Sequence, residues 1–71
     1  MRILLIAHDP VIAQRLRRRL WRQGHVVVVA ATGEMGLQQV ESGGYDAVIL
    51  DVRLLDTDGV TLTTRMRAAG W

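Results

Sequence analysis

Apolar residues form two kinds of pattern in this chain of 71 residues. Three short stretches are apolar almost without interruption: "RILLIA" at Arg2 to Ala7, "HVVVVA" at His25 to Ala30, and Tyr45 to Asp51, where Ala47-Val48-Ile49-Leu50 stops abruptly at an aspartate. Unbroken runs of this length, rich in β-branched residues, predict strands covered on both faces. Between them apolar positions recur at helical spacing. Ile12, Ala13, Leu16 and Leu20 mark the inner face of a helix from Pro10 to Gln23. Met35, Leu37 and Val40 mark a second, and either Val60, Thr63 and Met66 or Leu62, Met66 and Ala69 mark a third.

The punctuation agrees. Asp9-Pro10 reads as an N-cap followed by the first helical position, and Gly24 as the stop. Thr32-Gly33 opens the second helix and Gly43-Gly44 ends it; Asp58-Gly59 opens the third. Strand and helix alternate through a single domain over 1–71. Such an order predicts an α/β fold, a parallel sheet with right-handed crossovers and helices on its faces. Ligands of such sheets bind beyond the carboxyl ends of the strands. Ala7, His8 and Asp9 follow the first strand and Asp51 ends the third, so neighbouring strands one and three would place them across one crevice. A carboxylate at the tip of so apolar a run then has a physical sense: Leu50 stays in the core while Asp51 reaches water.

Composition narrows the picture. Cysteine is absent, which excludes disulfides and thiolate metal sites and makes an intracellular, cytoplasmic location the expectation. No apolar run approaches the roughly 20 residues of a membrane span, and "MRILLIAHDP" lacks the long apolar region of a signal peptide. Net charge is only +2, but five of the nine basic residues, Arg15, Arg17, Arg18, Arg19 and Arg22, crowd the first helix. They form either a solvated face or a docking surface. No set of stacking aromatics accompanies them, so direct nucleic-acid binding by this segment is not expected.

"MRILLIAHDP", a helix ending at Gly24, "YDAVILDV" and the later "DGV" together resemble the receiver domain of bacterial response regulators, along the whole of Met1 to Trp71. The pattern is closest to receivers that precede winged-helix DNA-binding domains. The resemblance implies a flavodoxin-like (CheY-like) sheet, here cut to three βα units, and two-component phosphorelay signalling that controls transcription rather than an enzyme. It implies Asp51 as phosphoacceptor, a histidine kinase or phosphotransfer protein as partner, and the arginines Arg15, Arg18, Arg19 and Arg22 as a docking face. It also implies Mg2+, held by Asp51, by an acidic pair after the first strand and by the backbone carbonyl of Arg53.

The chain departs from that pattern where the metal would sit. The acidic pair falls on Ala7 and His8, with Asp9 one position late, in the helix cap. A methyl and an imidazole are poor substitutes for two carboxylates towards a hard cation, so Mg2+ is expected to bind weakly or not at all. Leu55 stands where the family usually has proline. The Ser or Thr and the Lys that end the family's fourth and fifth strands have no counterpart in these 71 residues. Asp51 could also serve simply as a turn cap, and His8 and His25 as solvated residues.

Two other readings come from different classes. "DTDGVTL" resembles the phosphohydrolase signature of the haloacid dehalogenase class, with Asp56 as nucleophile and Asp58 as general acid; Asp58 as a helix cap is the simpler account. A truncated or engineered chain concerned with folding or assembly is the other. In the family's strand order 2-1-3, Ala47, Val48, Ile49 and Leu50 would form an exposed apolar edge, and self-association through it is expected.

Overall fold

The central strand is the most apolar one. In the computed structural model, which describes residues 1–51, 54 and 56–71, β1 (Arg2–Ile6) lies between β2 (Val26–Ala30) and β3 (Ala47–Leu50). Both pairings are parallel, with Leu4 opposite Val28 on one side and Val48 on the other. Ile3 through Ala7 are all buried, because helices cover both faces of this strand. Successive side chains alternate between those faces. Leu5 and Ala7 pack with Ala13 and Leu16 of α1 (Pro10–Arg22). Leu4 and Ile6 pack with Leu37 and Val40 of α2 (Gly33–Ser42) and with Leu62 and Met66 of α3 (Gly59–Ala68).

The predicted caps are in place. The Asp9 carboxylate accepts from the N–H groups of Val11 (2.9 Å) and Ile12 (3.4 Å), and Pro10 follows it as the first helical residue. Gly24 takes φ +89°, a left-handed conformation that a side chain would strain. Thr32 accepts from Met35 N–H (3.1 Å), and Asp58 from Thr61 N–H (2.7 Å). All three strands are shorter than expected by one to three residues. Tyr45 and Asp46, expected in the third strand, precede it and anchor its entry. Asp46 accepts from Arg2 N–H at 2.7 Å, and the buried Tyr45 donates its hydroxyl to Gln39 at 2.7 Å beneath the Arg2 guanidinium.

Several inward positions differ from the periodic reading. Met35 is 49% exposed, while Gly33 and Gly36 are buried beside Leu37 and Val40. The second helix comes so close to Ile6 of β1 that its inner face carries Gly36 beside Leu37 and Val40, and Met35 is turned off that face. In α1 the small Ala13 makes the close approach, and Ile12 sits at the rim, 44% exposed. For α3 the inward pair is Leu62 and Met66; Val60 faces water at 80% exposure and Ala69 caps the helix end. The outer strands are less covered than β1, because among the described residues β1 alone has neighbouring strands on both sides.

Candidate functional site

The carboxyl ends of β1 and β3 lie side by side. Asp51 N–H donates to the carbonyl of Ile6 at 2.8 Å, which holds the residue after β3 against the last residue of β1. Asp51 and Ala7 then line one hollow of about 260 Å³, whose other walls are Leu5, Ile12, Leu16, Ile49 and Leu50. The predicted crevice therefore exists, and it joins Asp51 to Ala7. It does not gather the rest of the predicted set. His8 is exposed, and neither it nor Asp9 is among the residues lining the hollow.

This arrangement does not suit a hard dication. Mg2+ takes oxygen ligands in near-octahedral array and favours carboxylates. Beside Asp51 the structure places the Ala7 methyl, 4% exposed, and aliphatic walls. The acidic residue nearest to Ala7 in sequence, Asp9, already caps α1 through its carboxylate. Among the described residues no group of three His, Cys, Asp or Glu could hold a metal ion. The Arg53 carbonyl, the remaining ligand of the expected set, lies outside the described residues, as does Leu55.

The acidic pair after β3 is structural in this conformation. Asp56 accepts from Gly33 N–H (2.8 Å) and Glu34 N–H (2.9 Å), one bond to each carboxylate oxygen, and so closes the amino end of α2 from a distant loop. The Glu34 N–H foremost, then that of Gly33, holds the Asp56 carboxyl below its ordinary value. Asp58 is lowered likewise, by the backbone N–H of Thr61 and then its hydroxyl, which donates at 3.0 Å. Both carboxylates of the "DTD" stretch are thus engaged as helix caps, the first of them tertiary. Sequence reading identified Asp58 as a cap and missed the role of Asp56. Its partners lie 22 and 23 residues away, so no local spacing signals them. Glu34 and Arg65 pair at 3.1 Å across the same junction, both well exposed, where such a pair adds little stability.

On α1, Arg15, Arg18, Arg19 and Arg22 border one open groove of about 340 Å³, and Trp21 beside them is 71% exposed. Among the described residues β3, the strand singled out for self-association, is one of the two edge strands of the sheet, with β2 the other. No described helix is long and apolar enough to cross a membrane.

The sequence model of one family, described as the response regulator receiver domain, matches residues 3–70. Among curated proteins, the transcriptional regulatory protein TcrA of Mycobacterium tuberculosis is 39% identical over 67 residues, 94% of this chain and 26% of its own length. The transcriptional activator IrlR of Burkholderia pseudomallei is 39% identical over 97% of this chain and 30% of its own length. The chain thus spans between a quarter and a third of these relatives. Among solved structures, the receiver domain of the hybrid histidine kinase CckA superposes with a TM-score of 0.91 at 32% identity, covering 99% of this chain and 67% of that one. The response regulator TrrA of Thermotoga maritima, solved in complex with Mg(2+)-BeF, gives a TM-score of 0.91 at 32% identity, over 97% of this chain and 60% of its own. TrrA has also been solved in complex with the histidine kinase ThkA.

Proposed function

The chain belongs to the response regulator receiver domain family, and on that premise we propose that it is the receiver portion of a transcriptional regulator whose phosphoacceptor position is Asp51 but whose metal pocket has lost its acidic pair. The supporting observation is the hollow that joins Asp51 to Ala7 and is otherwise walled by aliphatic side chains. Transfer of a phosphoryl group to a carboxylate brings negative charges together, and it proceeds only where positive charge neutralises them. A metal-binding carboxylate pair would recruit that charge; a buried methyl and an exposed imidazole do not. The chain therefore acts through protein contacts more than through a phosphoaspartate, and it is not an enzyme.

The contact surface is the arginine-bearing side of α1, with Arg15, Arg18, Arg19 and Arg22. Four guanidinium groups presented together suit an acidic face on a histidine kinase or phosphotransfer protein. This segment does not bind nucleic acid itself, and the protein works in the cytoplasm.

Incubation with acetyl phosphate and millimolar Mg2+, followed by intact-mass measurement, tests the reading. The expected spectrum is dominated by unmodified protein. A large phosphorylated population that disappears in Asp51→Asn would overturn it.

A further inference from the structure

The rim of the sheet formed by β2 carries four valines in succession. β2 pairs with β1 and, among the described residues, with no strand beyond it. The family's strand order 2-1-3 puts the second strand at the rim as well. The inward backbone groups of β2 are engaged: Val26 N–H donates to the Met1 carbonyl and the Ala30 carbonyl accepts from Ala7 N–H, each at 3.0 Å. Alternate residues of a paired strand turn to the neighbour, so Val26, Val28 and Ala30 face β1, and the N–H and C=O groups of Val27 and Val29 point outward. Edge strands ordinarily carry a lysine, a proline or a bulge that hinders pairing. Val26–Ala30 has no charge, no proline and no break in register, and Val26 and Val29 are 60% and 36% exposed.

The wall beside this edge is charged. Ile12 and Leu16 lie with Ile49 on the β3 side of α1. At about 3.6 residues per turn, Arg17 and Trp21 stand on the opposite flank, above β2. Both are exposed, and with Arg18 they line a hollow of about 250 Å³. Among the described residues neither arginine has an ion-pair partner. A second copy does not suit this edge. Two β2 strands paired about a two-fold axis would bring the arginine-bearing flanks of both α1 helices to one face of the seam, and α1 has five arginines and no acidic residue to offer its mate. A segment with carboxylates on alternate residues does suit it. Pleating puts those side chains on the α1 face, within reach of the guanidinium groups and the indole, while its backbone meets Val27 and Val29. We propose that β2 and the flank of α1 bearing Arg17 and Trp21 form a docking edge for an extended acidic segment of a partner protein, which joins the sheet as an added strand. The edge is separate from Asp51, which follows the strand on the far side of β1.

The probe is a short capped peptide of alternating glutamate and valine, and the readout is amide hydrogen exchange followed by nuclear magnetic resonance. Saturating peptide should slow exchange at Val27 and Val29 by at least about tenfold more than at Val28, which is turned to β1. A lysine–valine peptide, and the glutamate–valine peptide methylated on its backbone nitrogens, should protect neither residue. Arg18 also borders the kinase-facing groove, so Arg17 is the arginine to substitute. Arg17→Glu should weaken the acidic peptide about tenfold and Trp21→Ala should weaken it too, while Arg67→Glu, an equal change of charge on α3, leaves it unaltered. No binding of the acidic peptide, or binding without protection of Val27 and Val29, overturns the added strand. Equal protection by the lysine peptide, or indifference to Arg17→Glu, overturns the acidic partner. Protection of Val27 and Val29 that grows with protein concentration in the absence of peptide assigns the edge to a second copy and overturns the proposal.

Discussion

Asp56 acts at a distance that its local sequence does not disclose. Its carboxylate ties the loop after β3 to the first turn of α2, where backbone N–H groups have no helical partner. Since Asp56 and Asp58 both lie below the ordinary carboxylate value of 3.8 in the folded chain, the unfolded chain binds their protons first on acidification. The stability they contribute is present above that ordinary value and is lost as pH falls through the lower folded values. Urea midpoints should therefore stay level at neutral pH and fall below about pH 4. Asp56→Asn should lower the neutral midpoint and flatten the acid limb; an unchanged limb would remove Asp56 from this role. Gly36 makes a second residue-scale case. A Cβ there would meet Ile6, with Cγ1 at 2.8 Å and Cγ2 at 3.3 Å, and Ile6 is wholly buried. Alanine gains up to about 1 kcal/mol of helix propensity. Overpacking a closed core costs about 1–3 kcal/mol, so Gly36→Ala should destabilise on balance, as a lower thermal midpoint would record.

At the scale of elements, the sequence was legible where its signals are local. Asp9-Pro10, Gly24, Thr32 and Asp58 bracket the helices, and unbroken apolar runs mark the strands, so order and type follow directly. Inner faces were less legible, because periodicity shows which residues are apolar and not how closely a helix approaches its sheet. Met35 gave up its inward place to Gly36 for that reason. The site was legible as positions: Asp51 and Ala7 share a hollow as strand order predicts. The tertiary bond of Asp56 was not, since the fold alone brings it to α2. The third helix depends on few buried side chains, chiefly Leu62 at 0% and Met66 at 2% exposure. Leu62→Ala should cost about 2–5 kcal/mol. A domain this small has only about 4–10 kcal/mol in all, so the variant should be partly unfolded at 37 °C by circular dichroism. Val60→Ala, on the outer side of the same helix, should leave the monomer's stability nearly unchanged.

The whole molecule combines a preserved frame with an altered pocket. Frame residues respond to packing: the parallel sheet, the buried β1 and the two helical layers need apolar character at the right spacing. The pocket residues are not fixed by packing in that way. Ala7 fills its place against the α1 face of the sheet, and a carboxylate there would be set beside Asp51 with both needing a counter-ion. An alanine can therefore stand at that position with the fold intact, and on the proposed reading the cation site goes with the carboxylates. Substituting Ala7→Glu and His8→Asp together should restore a site at some cost in stability in the absence of metal, with Mg2+ recovering part of it. The most direct measurement is an Mg2+ titration followed at the Asp51 amide by nuclear magnetic resonance, in the parent chain and in the double variant. The account predicts no saturation in the parent up to about 20 mM and saturable binding at least about tenfold tighter in the double variant. Saturation of the parent at low millimolar Mg2+, with no gain from the two substitutions, would contradict it.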